Sequence, residues 1–320
     1  MNAIWQCKAL LYMAVFATAC ETYAAPMVND TPERLRVGGA RYQVEFEKGT
    51  FEFSLKFRDR VGNWHSVTRR FTIPEFAYAA RGQFGSSRGT RATFAWKRIG
   101  NVVIVGMSGV LNLFDAVIAT AHFLCTDDGI LIHFRLSSRK PLPPDAICWA
   151  LPRMLLDERL FDAYTFWRSD GQVRSKRIAS LHEPFPTYAG VTPWEKRGDI
   201  AEALSSKLPA LIVRSEKVDV GIGVVLVDAD TAWRGEHSFL QRYRENVLYL
   251  YAGHARARKA QHGLWGWLAP FDGHDIAKCE RQVKRLLAKT DALIKSFEPI
   301  APALPSSWLE VPPRFPSGVA

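Results

Sequence analysis

The feature that most constrains the fold is a series of short segments in which apolar and polar residues alternate. Residues 41–47 and 50–58 are two such segments, and Lys48 and Gly49 lie between them. A period of two places every second side chain on the same face of a β-strand, whereas an α-helix needs a period of 3.6. The pattern therefore predicts a β-hairpin with one buried face and one face in contact with water.

Segments of the same kind follow at short intervals along the chain. Four of them are predicted to pair as two hairpins, 91–99 with 102–109 and 116–125 with 130–138. The later strand-like segments are 147–154, 163–167, 208–214, 218–227 and 246–252. This succession is typical of meandering antiparallel sheets. No apolar segment approaches the ~20 residues of a bilayer-spanning helix, so no transmembrane span is predicted.

One segment near the C-terminus has a helical period instead. Between residues 275 and 297 the apolar positions are 276, 279, 283, 286, 287, 293, 294 and 297, with lysine and arginine on the other face. Residues 298–320 then carry six prolines, which is the composition of a linker or tail. The predicted fold is all-β, with two large packed antiparallel sheets over 33–270 followed by one long C-terminal α-helix.

The N-terminus predicts export. Lys8 precedes an apolar stretch over 9–19, and small residues follow as far as Ala25. This is the arrangement of a secretory signal peptide, with cleavage expected after Ala24 and a periplasmic or extracellular mature chain. A buried N-terminal strand or helix is the main alternative. A lipoprotein acylated at Cys20 is disfavoured because Ala17 stands where a larger aliphatic residue is usual.

The charge of the chain favours anionic partners. Its formal net charge is +10, and residues 25–100 alone hold 14 Lys and Arg against 7 Asp and Glu. Export argues against nucleic acid, so acidic polysaccharide is the expected partner. A solvated basic surface without a ligand is the alternative.

Three cysteines remain after the predicted signal peptide, namely Cys125, Cys148 and Cys279. Each lies in an apolar context and their spacing fits no zinc-binding pattern, so buried free thiols are predicted. No metal site and no cofactor are expected.

Several of these segments together resemble a known family. They are the hairpin at 127–134, the strands over 208–228, the segments 249–254 and 263–270, and the long helix leading to the Trp and Pro residues of 305–312. The chain is similar to the galactose-mutarotase-like β-supersandwich that precedes the catalytic barrel in many exported glycoside hydrolases. In those enzymes the barrel carries the two catalytic carboxylates. The resemblance therefore implies a module that is truncated or encoded apart from its barrel.

The resulting organisation is a signal peptide over 1–24, a β-sandwich domain with its terminal helix over 25–297, and a Pro-rich tail over 298–320. The expected function is that of a secreted, non-catalytic carbohydrate-binding module that packs on a barrel domain or subunit. An aldose epimerase or a uronate-directed polysaccharide lyase is the alternative. A structural accessory without a ligand is a third. No histidine and carboxylate can be paired as acid and base, so no catalytic residue is assigned.

Arginine and tryptophan are the side chains expected to hold an acidic sugar. Guanidinium groups bind carboxylates and sulfates through two parallel hydrogen bonds, and indole rings offer flat faces to sugar rings. The candidate binding residues are Arg81, Arg88, Arg91, Trp194, Trp233, His254 and Trp265.

Overall fold

A computed structural model describes most of the chain between residues 25 and 297. The described residues are 25–68, 74, 77–80, 83–111, 117–138, 147–149, 152, 154–157, 159–168, 170–178, 208–227, 240–242, 248–250, 254–256 and 261–297. The predicted signal peptide and the Pro-rich tail lie outside them.

The described residues form 21 strands and one helix. The strands are β1 Met27–Asp30, β2 Arg34–Gly38, β3 Tyr42–Glu47, β4 Phe53–Arg58, β5 Trp64–Ser66, β6 Ala77–Ala80, β7 Gln83–Ser86, β8 Thr93–Ile99, β9 Val102–Val110, β10 Val117–Cys125, β11 Ile130–Ser138, β12 Ile147–Trp149, β13 Met154–Leu156, β14 Ala163–Trp167, β15 Val173–Arg177, β16 Ala210–Ser215, β17 Val220–Leu226, β18 Leu240–Arg242, β19 Leu248–Leu250, β20 His254–Arg256 and β21 Gln261–Phe271. The helix is α1 Ile276–Phe297.

The strands form two large antiparallel sheets and two small ones. The five-stranded sheet runs β1-β2-β3-β4-β5, in chain order. The nine-stranded sheet has the order β15-β14-β16-β17-β21-β11-β10-β9-β8. The small sheets are β20-β12-β6-β7 and β13-β19-β18. The predicted antiparallel all-β sandwich with a C-terminal helix is confirmed.

All three predicted hairpins form. Strands β3 and β4 pair with Tyr42 opposite Phe57, and Gly49 in the turn between them has a φ of 85°, a left-handed value that glycine adopts without strain. Strand β8 pairs with β9, and β10 with β11. The single strand predicted over 147–154 is wrong, because β12 and β13 are separate strands in different sheets. Pro152 lies between them and has no N–H to donate to a ladder.

The main core lies between the two large sheets. In β4, Phe53, Leu55 and Phe57 are buried while the residues between them are exposed, as the alternation predicts. The ring of Phe123 in the nine-stranded sheet meets Phe46 edge-on at 4.9 Å and a second phenylalanine of the five-stranded sheet at 5.2 Å. These contacts join the two layers.

Helix α1 forms a third layer on the outer face of the nine-stranded sheet. Its buried residues include Cys279, Val283 and Leu286, which pack with Leu131 and Trp267 of the sheet. No helix in the described ranges is long and apolar enough to cross a membrane. The predicted amphipathic helix is therefore a packing element of the domain.

A buried hydrogen bond fixes the helix on the sheet. The indole Nε1–H of Trp267 donates to Thr290 Oγ1 at 2.9 Å, and Thr290 in turn donates to the Leu286 carbonyl. Both side chains are inaccessible to water. Breaking this hydrogen bond therefore tests how firmly α1 is attached to the sheet.

Thr290→Val is expected to lower the free energy of unfolding by about 1–3 kcal/mol, because the shape is kept while the buried indole N–H loses its acceptor. Urea unfolding followed by circular dichroism measures this change. Ser296→Ala removes a similar hydroxyl bond at an exposed position and is expected to change stability by less than about 0.5 kcal/mol. Equal stabilities for the two variants would contradict the conclusion that this hydrogen bond attaches α1 to the sheet.

Two of the three predicted buried thiols are confirmed. Cys125 and Cys279 are both free and buried. Burial raises the pKa of the Cys279 thiol to about 12, so this group stays protonated at neutral pH. The side chain of Cys148 is outside the described part of the chain.

Candidate functional site

The candidate binding residues fall in different parts of the structure. Arg81, Trp194 and Trp233 lie outside the described residues. The backbone of His254 begins β20 and pairs with Trp149, and its side chain is outside the description. The three remaining candidates are Arg88, Arg91 and Trp265.

Arg88 and Arg91 are exposed at one end of the sandwich. Arg88 lies in a turn whose Gly89 has a φ of 67°, and Arg91 forms an isolated bridge with Thr50. The Ala92 N–H donates to the Gly49 carbonyl at 2.9 Å. The turn that carries both arginines therefore packs on the β3–β4 hairpin.

Trp265 lies four strands away from β8, which is about 19 Å at the usual strand spacing of about 4.8 Å. Its ring stacks on His133 at 4.3 Å and meets Phe297 edge-on at 5.4 Å. The structure thus places Trp265 beneath the end of α1 and not beside Arg88 or Arg91.

The outer face of the five-stranded sheet carries a different group of polar side chains. Every second residue of β2, β3 and β4 points away from the core, and β5 adds an exposed indole. We call this surface the basic sheet face, and its residues are Arg34, Arg36, Gln43, Glu45, Glu47, Ser54, Lys56, Arg58 and Trp64. A shallow groove crosses its centre, lined by Arg36, Gln43, Glu45, Ser54 and Lys56.

One carboxylate organises the arginines of this face. Glu45 accepts hydrogen bonds from Arg34 Nη1 at 3.1 Å and from Arg36 Nε at 2.9 Å. Two guanidinium groups share the Glu45 carboxylate, and Glu47 lies opposite Arg34. The net positive charge of the face therefore comes from Lys56 and Arg58.

Lys56 provides a further positive charge at the floor of the groove. It is exposed, and its neighbours in register are Gln43 on β3 and Ser66 on β5, both neutral. Within the described residues no ion pair of Lys56 is found. Its side chain is exposed to solvent.

An exposed aromatic ring stands at the edge of the face. Trp64 on β5 is 43% exposed, although tryptophan is usually highly buried. The Arg58 guanidinium carbon lies 5.8 Å from the centre of its ring, and Arg58 Nε donates to the Gly62 carbonyl at 3.0 Å. These contacts hold the indole so that one edge of the sheet offers a flat apolar surface.

The polar side chains of the basic sheet face are spread across four strands. Arg36 on β2 and Trp64 on β5 are three strand spacings apart, which is about 14 Å. Glu45, the one carboxylate among the groove-lining residues, is bound to two guanidinium groups. No cluster of three or more residues that could hold a metal ion occurs in the described ranges.

A second charged cluster joins the start of α1 to both large sheets. Arg60 Nε lies 2.8 Å from Asp219 Oδ2, and Arg60 Nη2 lies 2.7 Å from Asp272 Oδ2. Asp272 Oδ1 accepts the backbone N–H groups of His274 and Asp275. We call this group the junction cluster, and its residues are Arg60, Arg214, Asp219, Asp272 and Gly273.

The side chains of the junction cluster are bound by other residues of this same chain. Arg214 is 3% exposed and donates from Nη1 to the Gly273 carbonyl at 2.6 Å and from Nε to Thr165 Oγ1 at 2.8 Å. Burial opposes ionisation of Asp272, but its backbone hydrogen bonds and the Arg60 guanidinium outweigh burial and hold its pKa well below the usual range. The cluster is a structural joint.

No protein-family profile and no curated protein matches the chain. Solved structures similar to it include a ligand-free α-N-acetylgalactosaminidase NagBb from Bifidobacterium bifidum, with 11% identity, a TM-score of 0.46 and coverage of 80% of this chain and 38% of that one. A GalM/aldose epimerase homologue from C. elegans has 8% identity, a TM-score of 0.41 and coverage of 78% and 99%.

The active YidC insertase with its first transmembrane domain resolved has 9% identity, a TM-score of 0.38 and coverage of 92% of this chain and 51% of that one. This chain therefore spans about half of the insertase and less of the glycosidase.

Proposed function

We propose that the chain is a secreted, non-catalytic module of a glycoside-hydrolase-like protein and binds acidic polysaccharide. The observation that carries this proposal is the basic sheet face, which has Arg36 and Lys56 in its groove and Arg58 over the exposed ring of Trp64. In this proposal residues 1–24 direct export, residues 25–297 form the binding domain, and residues 298–320 connect it to a catalytic barrel.

The groups of the basic sheet face suit a chain of acidic sugars. Guanidinium and ammonium groups bind carboxylate and sulfate oxygens, while an indole ring packs on the apolar face of a sugar. A pyranose unit is about as long as the strand spacing of about 4.8 Å, so successive units can meet successive strands. Arg88 and Arg91 extend the positive surface at the β3–β4 end of the sheet.

The double variant Lys56→Ala/Arg58→Ala is expected to weaken binding of a sulfated or uronate oligosaccharide by about tenfold or more, since two charge-assisted contacts of about 1 kcal/mol each are lost. Calorimetric titration at 0.05 M and 0.5 M NaCl measures this loss. Salt should weaken wild-type binding strongly, because the Debye length falls as ionic strength rises. The double variant should show a smaller salt dependence.

The matched control is Lys217→Ala/Arg281→Ala, which removes two exposed cations from the β16–β17 turn and from α1. It should bind the acidic oligosaccharide like the wild type. Trp64→Ala tests the stacking surface separately and should weaken binding at both salt concentrations. Equal losses in the two double variants would show nonspecific charge attraction and refute the site. Unsaturated uronate or epimerised sugar appearing in the titration mixture would favour the enzyme alternative.

A further inference from the structure

Two histidines lie side by side beneath the end of α1. His122 on β10 is directly opposite His133 on β11, and His133 is opposite Trp265 on β21. The two imidazole rings are nearly parallel, with centroids 6.0 Å apart, and His133 stacks on the indole at 4.3 Å. Three rings thus form one row across the outer face of the nine-stranded sheet.

Phe297, the last residue of α1, covers this row. Its ring meets His122 edge-on at 5.0 Å, Trp265 at 5.4 Å and His133 at 6.2 Å. Phe297 is buried, while Leu293 and Ile294 of the same helical turn are partly buried against the sheet. The helix end is therefore held by contacts with neutral aromatic rings.

The histidines have almost no polar partners in this position. Both ring nitrogens of His122 and Nδ1 of His133 are buried without a hydrogen bond among the described residues. A buried polar group without a partner costs free energy, and a buried cation without a partner costs more. Protonation of the pair would therefore weaken the packing of the row.

The surrounding charges also oppose protonation. The neighbouring positions in the sheet are neutral, with Gly106 on β9 and Thr120 on β10, and the charge that acts on the pair comes from Arg135 on β11. Burial, with Arg135 adding to it, lowers the pKa of His122 to about 4. The pKa of His133 is lowered to about 3 by burial, by His122 and by Arg135.

We propose that the His122–His133 pair is an acid-sensitive latch, in which protonation of the pair releases Phe297 and the last turn of α1 from the sheet. Release exposes the face of the sheet that carries His133 and Trp265. It also frees the start of the segment that follows residue 297. The chain can thereby change how that segment leaves the domain without unfolding the sandwich.

The linkage between proton binding and opening gives the size and the sign of the effect of pH on the latch. Once Phe297 has moved away, each imidazole regains a pKa near the ordinary value of about 6.5. The open form then binds more protons than the closed form below that pH, so acidification favours opening. Between pH 7.5 and 5.0 the opening equilibrium rises by roughly 30-fold for one histidine and by at most several-hundred-fold for both.

Hydrogen exchange of the full chain at pH 7.5 and 5.0, corrected for intrinsic rates, tests the latch. The protection factors of residues 293–297 should fall at least tenfold at pH 5.0, while β10 and β11 keep theirs. His122→Phe/His133→Phe keeps aromatic contacts but cannot take up protons, so its helix end should be equally protected at both pH values. His65→Gln removes a histidine from the five-stranded sheet and should leave the pH response intact.

Two further variants keep the test decisive if the double variant does not fold. The single variant His133→Phe should retain a response of roughly 30-fold. Phe297→Ala should open the helix end at both pH values. Unchanged protection of the wild-type helix end at pH 5.0 would overturn the latch. Equal loss of protection in β10 and β11 would also overturn it, since that result means unfolding of the whole domain.

Discussion

Gly273→Ala is expected to destabilise the domain by about 3 kcal/mol or more. A Cβ at this position would lie 2.4 Å from the Ser215 carbonyl oxygen and 2.7 Å from both Asp219 Cα and the Val220 nitrogen. These are backbone atoms of the β16–β17 turn, so no side-chain rotation can relieve the contact. The start of α1 would have to move away from the sheet and weaken the Arg214 bond to the Gly273 carbonyl.

The matched control is Gly38→Ala, because the nearest atom to an added Cβ there is the Tyr42 carbonyl oxygen at 3.6 Å. This is ordinary van der Waals contact, and the change in stability should stay below about 1 kcal/mol. Urea unfolding followed by circular dichroism compares the two variants. If Gly273→Ala were as stable as Gly38→Ala, the close packing of the helix start on the turn would be refuted.

Asp272→Asn is expected to lower the free energy of unfolding by about 2–3 kcal/mol at pH 7. The carboxylate is 5% exposed and bonds to Arg60, whose side chain is 49% exposed and keeps its ion pair with Asp219. The effect should therefore fall below the 3–5 kcal/mol typical of a fully buried pair. Glu280→Gln breaks the exposed pair with Lys284 and should cost less than about 0.5 kcal/mol.

The stability that Asp272 contributes depends on pH with a defined sign. Its pKa in the folded protein is held below its value in the unfolded chain. The contribution is therefore complete above the unfolded pKa of about 3.9 and is lost as the pH falls below it. The difference between wild type and Asp272→Asn should shrink between pH 4 and 2. A constant difference over that range would mean that the charge of Asp272 has no part in the joint.

The local part of the fold could be predicted from sequence. The three hairpins depend on alternation and on turn residues that are adjacent in the chain, and α1 depends on a period within one segment. The place of β21 between β17 and β11 could not be predicted, because the partners are tens to more than a hundred residues away. The apolar residues of these strands would fit several neighbouring strands equally well.

The basic sheet face could not be predicted as one surface. The alternation of β4 already put Lys56 and Arg58 on the solvent face, but their meeting with Arg36 and Trp64 depends on the registers of three strand pairs. The pairing of the two histidines, by contrast, could be predicted from the sequence. A hairpin that pairs Cys125 with Ile130 must also place His122 opposite His133.

The position of β21 imposes an order on the assembly of the nine-stranded sheet. Strands β8–β11 and β14–β17 are two separate antiparallel groups, and β21 is the strand that bonds to both. Until residues 261–271 have been synthesised, β11 and β17 are unpaired edges. Every residue of β17 is destined for burial, as are Ile130, Leu131, Ile132 and Phe134 of β11. Such edges pair readily with other chains. The growing polypeptide is therefore most vulnerable to aggregation just before its last strand arrives.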